Sequence, residues 1–112
     1  MPYDQGDIVL VPFPLTDLSN TKVRPAIVVS NSDINNSNDV ILAAITTNIK
    51  NDEFSFELDN SFLTKKMDRL SEVRCHKLFT CDQSLIHKAI AKLKNPHLDK
   101  LTKVVKQSFS TI

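Results

Sequence analysis

The sequence predicts a mainly β fold: a small, strongly bent antiparallel sheet closed into a barrel, with one C-terminal α-helix packed on it. Three observations lead there. Short β-branched runs bounded by Gly, Pro and Asn recur from Gly6 to Leu93; one of them, Val40 to Thr46, is an almost unbroken apolar stretch; and a clear helical period appears only after Asn95-Pro96.

Ile8-Val9-Leu10-Val11 after Gly6-Asp7, and Ala26-Ile27-Val28-Val29 after Arg24-Pro25, read as the first two strands. Between them, Pro12 to Thr21 is dense in proline and turn-tolerant residues, which predicts a long loop of the kind that carries function. Val40 to Thr46 is a third strand buried on both faces. Phe54-Ser55-Phe56-Glu57-Leu58 alternates and reads as half-exposed, followed by a short helical or irregular link from Asn60 to Asp68. Leu70 to Arg74 and Lys77 to Thr80 are expected as two further strands. Lys88 to Leu93 fits strand or helix, and the Asn95-Pro96 break favours strand. In the last element Asn95 suits the N-cap and Pro96 the first helical position, with Leu98, Leu101, Val105 and Phe109 on one face.

A length of 112 residues fits one domain over 1–112. With 41% hydrophobic and 24% charged residues and no long apolar run, the composition excludes disordered and membrane-spanning classes. The start Met-Pro-Tyr-Asp-Gln-Gly lacks the basic and apolar regions of a signal peptide, which predicts a cytoplasmic protein. Cys75 and Cys81 lack CxxC spacing and read as reduced thiols, and three scattered histidines make no metal-ligand cluster, so neither metal nor other cofactor is expected. The net charge of +1 is unevenly spread. Residues 1–56 hold 3 Lys/Arg against 7 Asp/Glu and residues 57–112 hold 11 against 6, so the second half suits phosphate contacts.

The run Gly6 to Pro14, the following Thr16-Asp17-Leu18-Ser19, and Lys22-Val23-Arg24-Pro25-Ala26-Ile27-Val28-Val29-Ser30 resemble the N-terminal signature of the MazF/PemK toxins. Ala43-Ala44-Ile45-Thr46-Thr47 is similar to that family's apolar strand ending in Thr or Ser, and Val73-Arg74-Cys75 to a strand of the PemK/Kid branch. The resemblance spans essentially the whole chain and is strongest over 6–30. It implies an SH3-like barrel that dimerises, and an endoribonuclease that cuts single-stranded RNA at short preferred sequences without a metal. It also implies a restraining antitoxin, expected to mask the site with an extended acidic and apolar segment. Two departures stand out: Asn20 replaces a loop glycine, a mild change because Asn tolerates positive φ, and His76 stands where the Kid branch has an acidic residue. The second leaves the division of acid and base roles open.

Such cleavage has the ribose 2′-OH attack the adjacent phosphorus, so one proton is removed, another donated and phosphate charge stabilised. Arg24, which matches the family's catalytic arginine, suits the charge with its bidentate guanidinium; the Thr46 hydroxyl is expected to bond a phosphate oxygen or the attacking group. Arg74 and His76, two apart on a strand, are expected on one face, with His76 as proton shuttle. Phe13 is a candidate base stacker, and Lys22, Thr47, Lys50 and Lys77 are candidate RNA contacts. His87 and His97 read as surface residues. Two rivals share the fold: a gyrase poison of the CcdB kind, and a catalytically silent barrel that only binds RNA or a partner.

Overall fold

A computed structural model describes residues 2–14 and 21–111. Its strands are β1 (Asp7–Pro14), β2 (Thr21–Val28), β3 (Asp39–Thr46), β4 (Ser55–Leu58), β5 (Ser71–Asp82) and β6 (Lys88–Lys92); its helices are the single turn α1 (Ser32–Asn35) and α2 (His97–Gln107). The strands form one antiparallel sheet in the order β4-β5-β3-β2-β1-β6. This sheet curls into a half-barrel until the chain beyond β4 meets the chain beyond β6. At that seam Leu63 bridges Leu93, the Thr64 amide donates to the Lys92 carbonyl at 2.9 Å and the Lys94 amide to Phe62 at 2.8 Å. The mainly β class and the terminal helix are as the sequence predicts.

β1, β2 and β3 are apolar on both faces because each serves two clusters, one on either side of the sheet. Ile8, Ile27, Ala43 and Ile45 pack with Val73, Leu93 and the helix residues Leu101 and Val105. Val9, Val11, Val28, Val40 and Leu42 pack on the other side with Ile86, against Tyr3, Phe13 and Phe79. Each fully buried Ile, Leu or Val contributes about 1.5–3 kcal/mol, so α2 is held mainly by two side chains.

The chain's one glycine seats the helix. Gly6 has φ +94, donates to the Val28 carbonyl at 2.8 Å and accepts from the Leu93 amide at 3.0 Å. An added Cβ would lie 3.4 Å from the Leu93 carbonyl oxygen and from the Leu98 methyls. Gly6→Ala is therefore expected to destabilise the fold by about 1–3 kcal/mol, the cost of holding a side chain at positive φ. A lowered urea midpoint at unchanged m-value would register it.

Four details differ from the sequence reading. The loop expected from Pro12 to Thr21 is shorter, because Pro12, Phe13 and Pro14 pair with Val23, Lys22 and Thr21. Prolines fit there since β6 pairs β1 only as far as Leu10, leaving the outer edge of this arm without ladder bonds. The stretch Thr16-Asp17-Leu18-Ser19 and Asn20 lie outside the described residues. Leu70–Arg74 and Lys77–Thr80 are not two strands but parts of β5, which makes a bulge: Ala43 faces Leu78 while the next residue, Ala44, faces Arg74. Cys75, His76 and Lys77 are the extra residues.

The helix also begins and ends differently. Pro96, not Asn95, occupies the cap position without a side-chain bond, and the Lys94 carbonyl takes the first free amides, His97 at 3.0 Å and Leu98 at 3.3 Å. Phe109 is not on the packed face; it is 70% exposed beyond the helix, where i→i−3 bonds from Ser108 and Phe109 tighten the last turn and turn its side chain outward.

Candidate active site

Arg24 stands where the β1–β2 hairpin leaves the sheet. The β2–β3 ladder runs from Ala26↔Ala44 to Val28↔Leu42, so Arg24 and Pro25 lie past its end, and the Arg24 side chain is exposed. Two further residues of the same register would oppose Arg24 to Thr46, the last residue of β3. Thr46 is half-buried, pairs with Glu72 across β5, and its Oγ1 accepts from the Asn48 amide at 3.0 Å. Directly opposed residues share a face of a sheet, so Thr46 and Glu72 lie side by side on one face, and Arg24 comes from the strand that flanks β3 on its other side. Among the described residues no carboxylate pairs with Arg24.

Arg74 is differently placed. It is buried at 8% exposure, and its guanidinium forks onto Asp52, with Nη1 to Oδ1 and Nη2 to Oδ2 both at 3.0 Å. Nη1 also donates to Glu72 Oε2 at 2.7 Å and to Ser55 Oγ at 2.9 Å. Glu72, 2% exposed, accepts further from the Ser55 hydroxyl at 2.7 Å and from the Lys50 and Asn51 amides at 3.2 and 3.1 Å. The network thus ties the segment after Thr46 to β5. One cation serves two carboxylates, so its net charge is −1, and Arg74 is already saturated with anions.

The charges agree with this geometry. Hydrogen bonds from Arg74, aided by the Phe54 amide and Ser55, hold the Asp52 carboxyl at about 2 against the opposing effect of burial. For Glu72, burial pushes the carboxyl upward, but the combined bonds from Ser55, Asn51, Arg74 and Lys50 outweigh it and leave it below its ordinary value. Arg74 is raised by Asp52, then by Glu72, against burial. Burial pushes the Cys75 thiol up to about 12, so it offers no thiolate at neutral pH.

A pH dependence follows. The folded Asp52 binds its proton less readily than an unfolded one, with an ordinary value of about 4. Its stabilising effect is full above that value and is lost as pH falls from about 4 toward about 2; Glu72 acts in the same direction. The urea midpoint is expected to drop over this range, and to drop less steeply in Asp52→Asn. Parallel profiles for the two proteins would contradict the assignment.

Arg74 and His76 do not act on each other; no hydrogen bond joins them among the described residues. His76 is exposed in the bulge with its ring on Phe54, centroids 4.4 Å apart, and Lys77 beside it is exposed too. Phe13 meets Phe79 edge-on at 4.7 Å within the second apolar cluster, and Lys22 beside it is exposed. Thr47 is exposed past the end of β3, and Lys50 is exposed with its amide on Glu72. His87 is exposed, while His97 is half-buried and stacked on Phe62 at 3.8 Å. Asp52, Ser55 and Glu72 are absent from the site residues read from the sequence. An acid two residues before Arg74 on one strand was a usable sign of Glu72; nothing marked Asp52. Among the described residues no group of three His, Cys, Asp or Glu side chains is arranged to hold a metal ion, and no helix is long and apolar enough to cross a membrane.

Solved structures of the same shape include a toxin and an endoribonuclease. The chain superposes on MazE-MazF from Deinococcus radiodurans with a TM-score of 0.77 at 17% identity, covering 97% of this chain and 96% of that one. For the Mycobacterium tuberculosis toxin MazF-mt6 the values are 0.74 and 16%, over 92% and 95%. For an endoribonuclease in complex with its cognate antitoxin from Mycobacterial species they are 0.76 and 14%, over 96% and 94%. No curated protein matches the sequence significantly. The family profile of PemK-like, MazF-like toxins of type II toxin-antitoxin systems matches residues 4–109. With a match over almost its whole length and the barrel to go with it, the chain belongs to the PemK-like, MazF-like toxin family.

Proposed function

We propose that the protein is a metal-independent endoribonuclease that cuts single-stranded RNA by 2′-OH attack on the adjacent phosphate. The observation that carries this reading is the exposed Arg24, on the strand beside that of Thr46, just past the end of their ladder and without a described carboxylate partner. Arg24 binds the phosphate and neutralises its developing charge, and the Thr46 hydroxyl orients it. Arg74 positions the segment beyond Thr46 rather than touching RNA. His76, exposed in the bulge, serves as the proton shuttle, with Lys22, Lys50, Lys77 and Thr47 along the path of the RNA, while the Phe13 ring stays committed to Phe79. A homodimer presents two such sites, and a cognate antitoxin covers them with an acidic segment that competes with phosphates.

One rival gains from the saturated Arg74: a barrel that binds RNA without cutting it. Incubation with a long RNA in excess EDTA separates the two. Products with 5′-hydroxyl ends are expected; intact RNA that remains bound would favour the silent barrel. His76→Ala is expected to slow cleavage markedly. An unchanged rate would return His76 to the surface.

A further inference from the structure

One end of the barrel holds a cavity of about 430 Å³ whose lining, Thr47 apart, the mechanism above does not use. Its rim carries Lys66, Arg69 and Lys88, all exposed, against one carboxylate, Asp68. None of the three cations has an ion-pair partner among the described residues. Its wall is apolar, with Pro25 from the hairpin, Ile90 from β6 and Met67 from the segment before β5. A cleft lined by one sign of charge over a low-dielectric wall concentrates the opposite charge, and this volume lies in the range of small-ligand sites.

The cavity adjoins the cleavage residues across the thickness of the sheet. Successive residues of a strand face opposite sides, so Pro25 in the wall places Arg24 on the other side. Thr47, immediately after Thr46, also lines the cavity. An RNA strand that crosses the rim between the ends of β2 and β3 reaches both places.

We propose that the barrel mouth is a second RNA-anchoring site, which takes a nucleotide flanking the scissile phosphate, with its phosphate on the Lys66, Arg69 and Lys88 rim and its base against Pro25, Ile90 and Met67. This rests on the endoribonuclease reading for its ligand, so its test measures binding apart from cleavage. The probe is a mixed-sequence single-stranded oligonucleotide with every ribose 2′-O-methylated, which has no attacking hydroxyl.

For the triple variant Lys66→Gln, Arg69→Gln, Lys88→Gln, the plot of log affinity against log salt is expected to flatten by about 2, since each phosphate neutralised on a single strand adds about 0.7 to the slope. Uridine and adenosine monophosphates are expected to shift the amide resonances of Ile90, Ala91 and Thr47 in the wild type. An unchanged salt slope together with unmoved resonances overturns the site, whether or not the protein cuts RNA. Bound oligonucleotide with these effects, in a protein that leaves ordinary RNA intact, sinks the nuclease reading and keeps the site. If the triple variant loses antitoxin affinity while its RNA slope stays the same, the rim belongs to the protein partner and the proposal fails.

Discussion

Arg24→Ala is expected to cut RNA roughly a hundred- to a thousandfold more slowly than wild type while melting at the same temperature. The magnitude is that of removing one preorganised donor from a developing oxyanion, about 3 to 4 kcal/mol of transition-state stabilisation. Stability should not change, because the side chain is exposed past the end of the β2–β3 ladder and has no described ion-pair partner to leave behind. Arg24→Lys should retain only slight activity, since an ammonium keeps the charge and loses the fork that grips two phosphate oxygens. Single-turnover rates and thermal melts on the three proteins suffice. A rate within a few-fold of wild type for Arg24→Ala would sink the assignment, as would a melting temperature that collapses with the rate.

The opposite pattern is expected at Arg74. Arg74→Met removes the one cation from two carboxylates, and Glu72, 2% exposed, keeps its charge without its counter-ion. Breaking a buried pair from one side typically costs about 3–5 kcal/mol, because the orphaned charge remains desolvated. Glu72→Gln on the same background should recover part of that loss by removing the charge while keeping acceptors for the Lys50 and Asn51 amides. Urea unfolding measures both steps. Under conditions where each variant is folded, Arg74→Met should cleave faster than Arg24→Ala. A variant that stays fully stable and loses cleavage would move Arg74 into contact with RNA.

The two arginines also mark how far the sequence could be read. Arg24 was legible because its neighbours Pro25 and Lys22 belong to a recognisable run, and its exposure follows from where a local hairpin leaves the sheet. Arg74 was legible as a position but not as a role, since its partner Asp52 comes from a loop whose path depends on β4 and β5 pairing first. The strands β1, β2 and β3 were visible because a short β-branched apolar run between breakers marks a strand from local pattern alone. The bulge at Cys75, His76 and Lys77 was not, because three consecutive residues without a partner on β3 interrupt the strand pattern just as a turn does. Prolines at 12 and 14 suggested a loop for a similar reason: only the missing β6 partner beyond Leu10 makes them acceptable in a strand.

The place of β1 between β2 and β6 has a consequence for how the chain is made. On the ribosome β1 acquires β2 within one hairpin, yet its other edge, Asp7 to Leu10, has no partner until Lys88 to Lys92 has been synthesised. Throughout that interval a nascent chain displays an unpaired strand with Ile8 and Val9 apolar on both sides, a template for pairing with another chain. Closure waits for the most sequence-distant pairing in the sheet, which slows folding relative to a helical protein of this size. Chains released before β6 are therefore expected to aggregate, and refolding yield should fall with protein concentration even where the finished barrel is stable.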